Sequence, residues 1–170
     1  MPLTVEDGTG LPGADSYESL VELTAYHASH GNADWAALAE AEQERCARAA
    51  TEYLDAVYGR RLKGMRTTED QPLFWPRDSV YDADDYLIDD NIVPAKWKSA
   101  HAELALKASV ETLIPDLDPG DQGIASESNS VGSISTSVTY SGNKPTAKRY
   151  RMVELLVAEF VQAPGTVERA

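Results

Sequence analysis

The stretch CARAATEYLDAVYG, residues 46–59, decides the fold class of this chain. Its small and apolar residues recur at spacings of three, four and seven or eight, which is the period of one face of an α-helix. We predict a short helical turn around Trp35 and then a long amphipathic helix from about residue 40, ended by Gly59. The inward face of this segment is formed by Leu38, Cys46, Ala49, Ala50, Tyr53, Leu54 and Val57.

A capping box precedes this helix. In SLVE, residues 19–22, Ser19 can cap the first turn of a helix while Glu22 reaches back to the backbone of Ser19. The sequence therefore predicts a short helix that runs to about His30, with Gly31 as its end.

Two further helices are predicted in the second half of the chain. Pro94 suits the first position of a helix that runs to about residue 114. A last helix is expected over about residues 146–162, with an inward stripe of Met152, Val153, Leu156 and Phe160.

The segments between the helices differ in character. Residues 59–93 show no sustained period, so we predict a long protruding loop with brief strands at 72–75 and 86–88. Residues 115–130 are typical of a flexible acidic linker. Residues 131–140, VGSISTSVTY, alternate apolar and polar side chains, which predicts a strand.

The predicted fold is therefore mainly α, a small bundle of about four helices with a long protruding loop. A small β-strand or hairpin element precedes the C-terminal helix. We expect three regions: an extended N-terminal arm (1–18), a helical core (19–114), and a C-terminal part (115–170) that holds the linker, the β element and the last helix.

The charge distribution argues against general nucleic-acid binding. The formal net charge is −13, and residues 1–44 contain nine acidic residues and neither Lys nor Arg. A nucleic-acid binder needs a basic surface to neutralise phosphates, and this chain offers only the local strip GRRLKGMR, residues 59–66. With one cysteine, no long apolar stretch and no basic leader, we expect no internal disulfide, no membrane span and no secretion signal.

Motifs for catalysis or metal binding are weak. His27 and His30 have a spacing that could hold a metal ion, but two surface residues near a helix end explain the pair as well. The acidic run DADD, residues 82–85, lacks the glycine and terminal glutamate of a calcium loop. Cys46 lies on the predicted core face. We predict no enzyme activity, no cofactor and no metal site.

QPLFWPR, residues 71–77, concentrates aromatic, proline and basic residues in the loop. Aromatic side chains beside bases such as Arg66 can stack nucleobases, and they can also plug into a neighbouring protein. Acidic residues bracket the motif, which favours a protein clamp. Phe74 and Trp75 would then supply buried area, and Arg77 an ion pair with an acidic neighbour. Alternatively, Phe74 and Trp75 close the core of their own chain.

An ordered set of motifs resembles one family of virion proteins. ADSYESL (14–20), Trp35, ATEYLDAVYGRRLKG (50–64), QPLFWPR (71–77) and IVPAKWKSAHAELAL (92–106) follow the order and spacing of the head–tail connector adaptors of tailed bacteriophages. These are also called head-completion proteins. The same group is catalogued as DnaT-like single-stranded-DNA-binding proteins.

The resemblance implies a structural role in the virion neck. Copies of the chain would form a ring, expected to hold about twelve, docked between the portal protein and the next neck or tail-completion protein. Genomic DNA would pass through the channel without specific binding, and no membrane would be involved. The protein would reside in the virion, and in the host cytoplasm during assembly. The alternative function is single-stranded DNA binding in phage replication.

The C-terminal segment 144–170 has a basic excess, with Lys148, Arg149 and Arg151 at the start of the predicted helix. Cations at a helix N-terminus oppose the helix dipole, so they are better placed to meet an acidic partner. One hypothesis is that this segment, with Leu156 and Phe160, is mobile in the free protein and becomes ordered on the portal. The alternative is a final helix packed on its own bundle.

Overall fold

The structure is a computed structural model. It describes residues 2–115 and 148–162 in full and the strands 126–131 and 134–139 as backbone. Five α-helices confirm the mainly helical prediction. They are α1 (Leu20–Ser29), α2 (Ala33–Ala36), α3 (Glu40–Tyr58), α4 (Ala95–Ala108) and α5 (Arg151–Val157), with 3₁₀ turns at Gly59–Arg61 and Ala158–Phe160.

The capping box at the start of α1 is confirmed. The Ser19 hydroxyl accepts a bond from the Glu22 amide at 3.2 Å, and a Glu22 carboxylate oxygen accepts one from the Ser19 amide at 2.8 Å. Lys98 on α4 donates to Glu22 at 2.9 Å. Burial disfavours the charged Glu22 carboxylate, but the bonds from Lys98 and Ser19 outweigh burial and lower its pKa to about 2.

The long helix α3 and the short α2 begin and end where the periodicity predicts. Val57, predicted on the inward face of α3, is 38% exposed. Trp35 on α2 is fully buried, and its indole nitrogen donates to Thr24 at 3.2 Å. The Gln43 side chain of α3 donates to the Trp35 carbonyl at 2.9 Å, which ties the two helices together.

Helix α4 ends at Ala108, six residues before the predicted end at 114. Two contacts satisfy its last carbonyls and so stop the helix there. The Ser109 hydroxyl donates to the Leu106 carbonyl at 2.7 Å, and Arg45 of α3 donates to the Ala108 carbonyl at 3.0 Å.

The C-terminal helix is shorter than the predicted 146–162. It starts at Arg151, while 148–150 are not helical and 146–147 lie outside the described residues. Contacts outside α5 hold Tyr150 in a non-helical conformation. The centroid of its ring lies 5.3 Å from that of Tyr53, and its hydroxyl donates to Glu111 at 3.1 Å. Beyond Phe160 the chain is extended, and Val161 forms an antiparallel bridge with Leu62.

Two small antiparallel ladders complete the structure. β1 (Met65–Arg66) pairs with β2 (Arg77–Asp78), so the strand predicted at 72–75 is wrong. Of the strand predicted at 86–88, only Leu87 pairs, in an isolated antiparallel bridge with Tyr81. β3 (Ser126–Val131) pairs with β4 (Ile134–Thr139). The hairpin confirms the β element but takes five residues, 126–130, from the predicted linker, because backbone pairing needs no apolar pattern on β3.

The chain divides into two compact units. The first comprises Met1–Leu113 and Tyr150–Ala170 and holds the helices; the second comprises Ile114–Arg149 and holds the β3–β4 hairpin. In the described ranges no helix is both long and apolar enough to cross a membrane.

The N-terminal residues do not form an extended arm as predicted. They fold around the buried carboxylate of Glu6, which accepts bonds from the amides of Gly8, Gly10 and Leu11, each at 2.9 Å. Gly8 has a φ of +99°, and an added Cβ there would lie 1.8 Å from the Asn91 carbonyl oxygen. This close approach packs the N-terminal loop against the backbone of Asn91 and requires glycine at position 8.

Candidate interaction surfaces

The QPLFWPR segment is packed inward. Trp75 has no exposed surface, and its ring lies 6.1 Å from that of Trp97 and 5.5 Å from that of Phe160. Phe160 is only 1% exposed. Trp75 and Phe160, predicted as subunit or portal contacts, are therefore core residues, because apolar rings from the loop, α4 and the C-terminal turn bury one another.

Gln71 holds this loop in shape. The buried side-chain amide donates to the carbonyls of Leu73 at 2.9 Å and Pro76 at 3.0 Å. Its oxygen accepts from the Thr68 amide and the Thr67 hydroxyl, both at 3.0 Å. Sequence reasoning missed this role, because a single glutamine between Asp70 and Pro72 gives no periodic signal.

Arg77 is also buried, at 6% exposure, so little of its side chain is left for the ion pair with an acidic neighbour, which stays a prediction. Its guanidinium donates to three backbone carbonyls of its own chain: Lys63 at 2.7 Å, Gly64 at 2.6 Å and Phe74 at 3.2 Å. Burial lowers the pKa of Arg77, but a guanidinium remains charged at any physiological pH. The residue therefore fastens the two ends of the loop together.

A basic strip remains at the surface, formed by the exposed Arg60, Arg61 and Arg66 and the half-buried Lys63. Arg66 donates to the Gln71 carbonyl at 2.9 Å. The half-buried Phe74 lies beside the strip, since an added Cβ on Gly59 would come within 2.5 Å of its ring. The strip offers cations for a phosphate or a carboxylate, with one partly exposed aromatic ring next to them.

A second surface is the acidic loop, residues 78–92, in the second half of the predicted long loop. It carries Tyr81 at 48% exposure, Tyr86 at 72% and Leu87 at 60%. Around them lie six aspartates, the positions being Asp78, Asp82, Asp84, Asp85, Asp89 and Asp90. These apolar side chains are open to a partner, and the carboxylates beside them repel phosphate.

The predicted contact residues of the C-terminal segment differ in exposure and in their position relative to α5. Lys148 and Arg149 are exposed and precede the helix, whereas Arg151 is exposed and is its first residue. Leu156 is half-buried against the core. Whether any of these residues contacts another protein stays a prediction.

An apolar groove along α1 was missed by sequence reasoning. It is bordered by α1 on one side and by α2 and the start of α3 on the other, and Val21 on its wall is 78% exposed. A short helix with one exposed valine gives no distinctive signal in a sequence. The groove exists only because α2 and α3 turn back beside α1.

A polar cluster lies inside the first unit, between the N-terminal segment, α3 and α4. The Tyr17 hydroxyl donates to Asp55, and it accepts a bond from the Phe74 amide at 3.2 Å. His101 contacts Glu18 at 3.1 Å. Burial raises the pKa of Asp55 to about 6, although the bonds from Tyr17 and the Phe74 backbone favour its charged form.

Replacing Asp55 with asparagine should change how stability depends on pH. Because the folded pKa exceeds the ordinary value of 3.8, the native state holds the proton more tightly. The stability that this tighter proton binding contributes to the folded state is complete below about pH 4 and is lost as the pH rises through about 6. As the pH falls from 7 to 4, the free energy of unfolding of the unmodified protein should therefore rise by roughly 2–3 kcal/mol relative to that of Asp55→Asn.

Urea unfolding of both proteins across this pH range measures the difference. His27, whose pKa is lowered by burial, titrates in both proteins, so its contribution cancels in the comparison. Parallel stability profiles for the two proteins would mean that Asp55 is not desolvated in the folded state.

The histidines and the cysteine form no metal site in the described ranges, where no group of three or more potential metal ligands occurs. The prediction that both histidines lie at the surface is wrong for His27, which is 1% exposed. Its ring packs against that of Trp35 at a tilt of 37°, with 4.8 Å between the ring centroids. His30 is exposed and stacks on Tyr26 at 4.0 Å. Cys46 is buried in the core, as predicted.

Comparison with known proteins places the chain in a family. A family described as "Putative DnaT-like ssDNA binding protein" matches residues 1–170. No curated protein matches the chain, and neither does any solved structure. Since the match spans the whole sequence, the chain belongs to this DnaT-like family.

Proposed function

We propose that the protein is a structural subunit of the neck of a tailed-phage virion, a head–tail connector adaptor that associates with itself and with the portal. One observation carries this proposal. In the described ranges, the exposed aromatic side chains are Tyr81 and Tyr86, and both lie among aspartates. Trp75, by contrast, is buried in the core. Aromatic surface of this kind suits a protein partner and is poorly placed to stack bases against a phosphate backbone.

The charge of the chain supports the same function. A net charge of −13 gives the molecule a field that repels phosphate. A channel through which DNA slides must not hold it tightly, so an acidic wall favours passage. The ordered motifs from ADSYESL to IVPAKWKSAHAELAL support the neck as the location.

Native mass measurement of the purified protein, alone and with the portal protein of the same phage, tests this function. We expect a closed oligomer alone or a complex with the portal. A chain that stays monomeric at every concentration and does not bind the portal would contradict the proposal.

Single-stranded DNA binding is the second candidate. The basic strip beside Phe74 favours it, as does the description of the family. At most four cations would neutralise phosphates there. For single strands, each neutralised phosphate steepens the slope of the logarithm of the binding constant against the logarithm of the salt concentration by about 0.7.

We expect no appreciable binding of a labelled single-stranded oligonucleotide at physiological salt. Fluorescence anisotropy of the unmodified protein, of Arg60→Ala/Arg61→Ala and of the control Lys107→Ala measures this. Lys107 is an exposed cation outside the strip. Tight binding that falls steeply with salt, and that only the double variant loses, would favour the second candidate.

A further inference from the structure

We propose that the groove along α1 receives the exposed ridge of α5 from a second copy of this chain. This inference rests on the proposed assembly function and names the two surfaces that would join neighbouring copies. Both surfaces belong to the first compact unit, so the contact needs no particular placement of the hairpin unit.

The groove consists of two adjoining hollows of about 570 and 250 Å³, which share Thr24 and Ala28 in their walls. Most of the surface in each hollow is apolar. Val21 stands on the wall with 78% of its surface exposed, which is high for an apolar residue on a helix that otherwise buries Leu23 and His27. Small side chains such as Ala25 allow another helix to approach closely.

The ridge lies on the outer side of α5. Met152 is 58% exposed, so its predicted place on the inward stripe is wrong. Leu155 is 57% exposed and three positions further along, so the two residues are neighbours on one helix face. The opposite face holds Val153 and Val157, which are buried in the core. Helix α5 therefore has an apolar stripe on each side, and only one of them is covered by the described residues.

Charge complementarity selects a second copy as the occupant. Glu40 lines the groove, and residues 1–44 contain neither Lys nor Arg. Arg151, at the start of the ridge helix, has a side chain that is 79% exposed and lies 3.8 Å from its own Glu154. Docking the ridge would bring Arg151 towards Glu40 at the edge of the groove. A phosphate-bearing ligand would meet repulsion there.

The two surfaces lie on different elements, so the contact is head-to-tail. One contact of this type between two copies leaves the ridge free on the copy whose groove is filled and the groove free on the other copy. Repetition closes a ring when the rotation between neighbours allows it, which agrees with the proposed function.

Two substitutions of exposed residues test the contact without disturbing the core. Val21→Asp places a carboxylate in the groove, in the first turn of α1, where an acidic side chain suits the helix dipole. Leu155→Asp places one on the ridge. Each variant alone should be monomeric in native mass measurements and should keep the helical circular dichroism of the unmodified protein. Val110→Asp, at an equally exposed position just after the end of α4 and outside both surfaces, should assemble normally.

Mixing the two variants gives the decisive result. The ridge of a Val21→Asp copy and the groove of a Leu155→Asp copy are both intact, so an equimolar mixture should form a one-to-one heterodimer and nothing larger. Val21→Cys mixed with Leu155→Cys should form a disulfide between copies under mild oxidation, since the native Cys46 is buried.

Oligomers that persist in either Asp variant, or a cysteine mixture without cross-linking, would overturn the contact. If the unmodified protein still binds the portal in that case, the proposed function stands and only this interface is wrong. If the unmodified protein neither self-associates nor binds the portal, both fail.

Discussion

Trp75→Ala is expected to lower the free energy of unfolding by about 3–5 kcal/mol, since it removes a fully buried indole and leaves a cavity. The rings of Trp97 and Phe160 would lose their common neighbour. For a domain of this size, the loss corresponds to a fall in melting temperature of roughly 6–20 °C. Thermal unfolding followed by circular dichroism measures it.

Tyr86→Ala is the matched control, an aromatic side chain removed from the same loop region at 72% exposure. It should change stability by less than about 0.5 kcal/mol. Equal melting of Trp75→Ala and the unmodified protein would show that the indole does not fill the core in solution. Any loss of assembly in Trp75→Ala should appear only together with the fall in melting temperature.

Arg77→Ala is expected to cost roughly 3 kcal/mol or more, because three carbonyls of the loop lose a charged donor at once. Hydrogen bonds to charged groups contribute about 1.5–3 kcal/mol each, and such contributions do not simply add. Arg77→Lys keeps the charge but has no planar fork, so it should recover only part of the loss. Urea unfolding measures all three proteins.

The amides of β1 should also exchange faster with solvent in Arg77→Ala, because Arg77 anchors Lys63 and Gly64 just before that strand. Arg66→Ala is the control on the same ladder; its side chain is exposed and makes one bond, to the Gln71 carbonyl. A cost for Arg77→Ala no greater than for Arg66→Ala would contradict the anchoring role.

Helix starts that depend on local chemistry were predicted well from the sequence. The Ser19–Glu22 capping box and the apolar period of α3 act within a few residues of chain, so their signal is complete in the sequence. The ends at Ala108 and Arg151 were not predicted. They depend on Arg45 and on Tyr53, which reach these termini from another helix.

The residues predicted to contact a partner also show what local sequence does not determine. Phe74, Trp75 and Arg77 are adjacent in sequence and look alike as candidates for a partner surface. The structure gives them different positions, because Trp97 and Phe160 surround the indole and the carbonyls around Arg77 converge on its guanidinium. The groove along α1 carried no sequence signal, since its walls come from separate helices.

The sequence by itself determined the helical class, the caps, the acidic charge of −13 and membership of the DnaT-like family. These follow from periodicity, local hydrogen bonding and composition, none of which needs distant contacts. Only the tertiary structure decided which loop aromatics turn inward, where α4 and α5 end, and which apolar faces remain open. Those outcomes depend on side chains far apart in the chain competing for the same buried space, and linear order does not encode that competition locally.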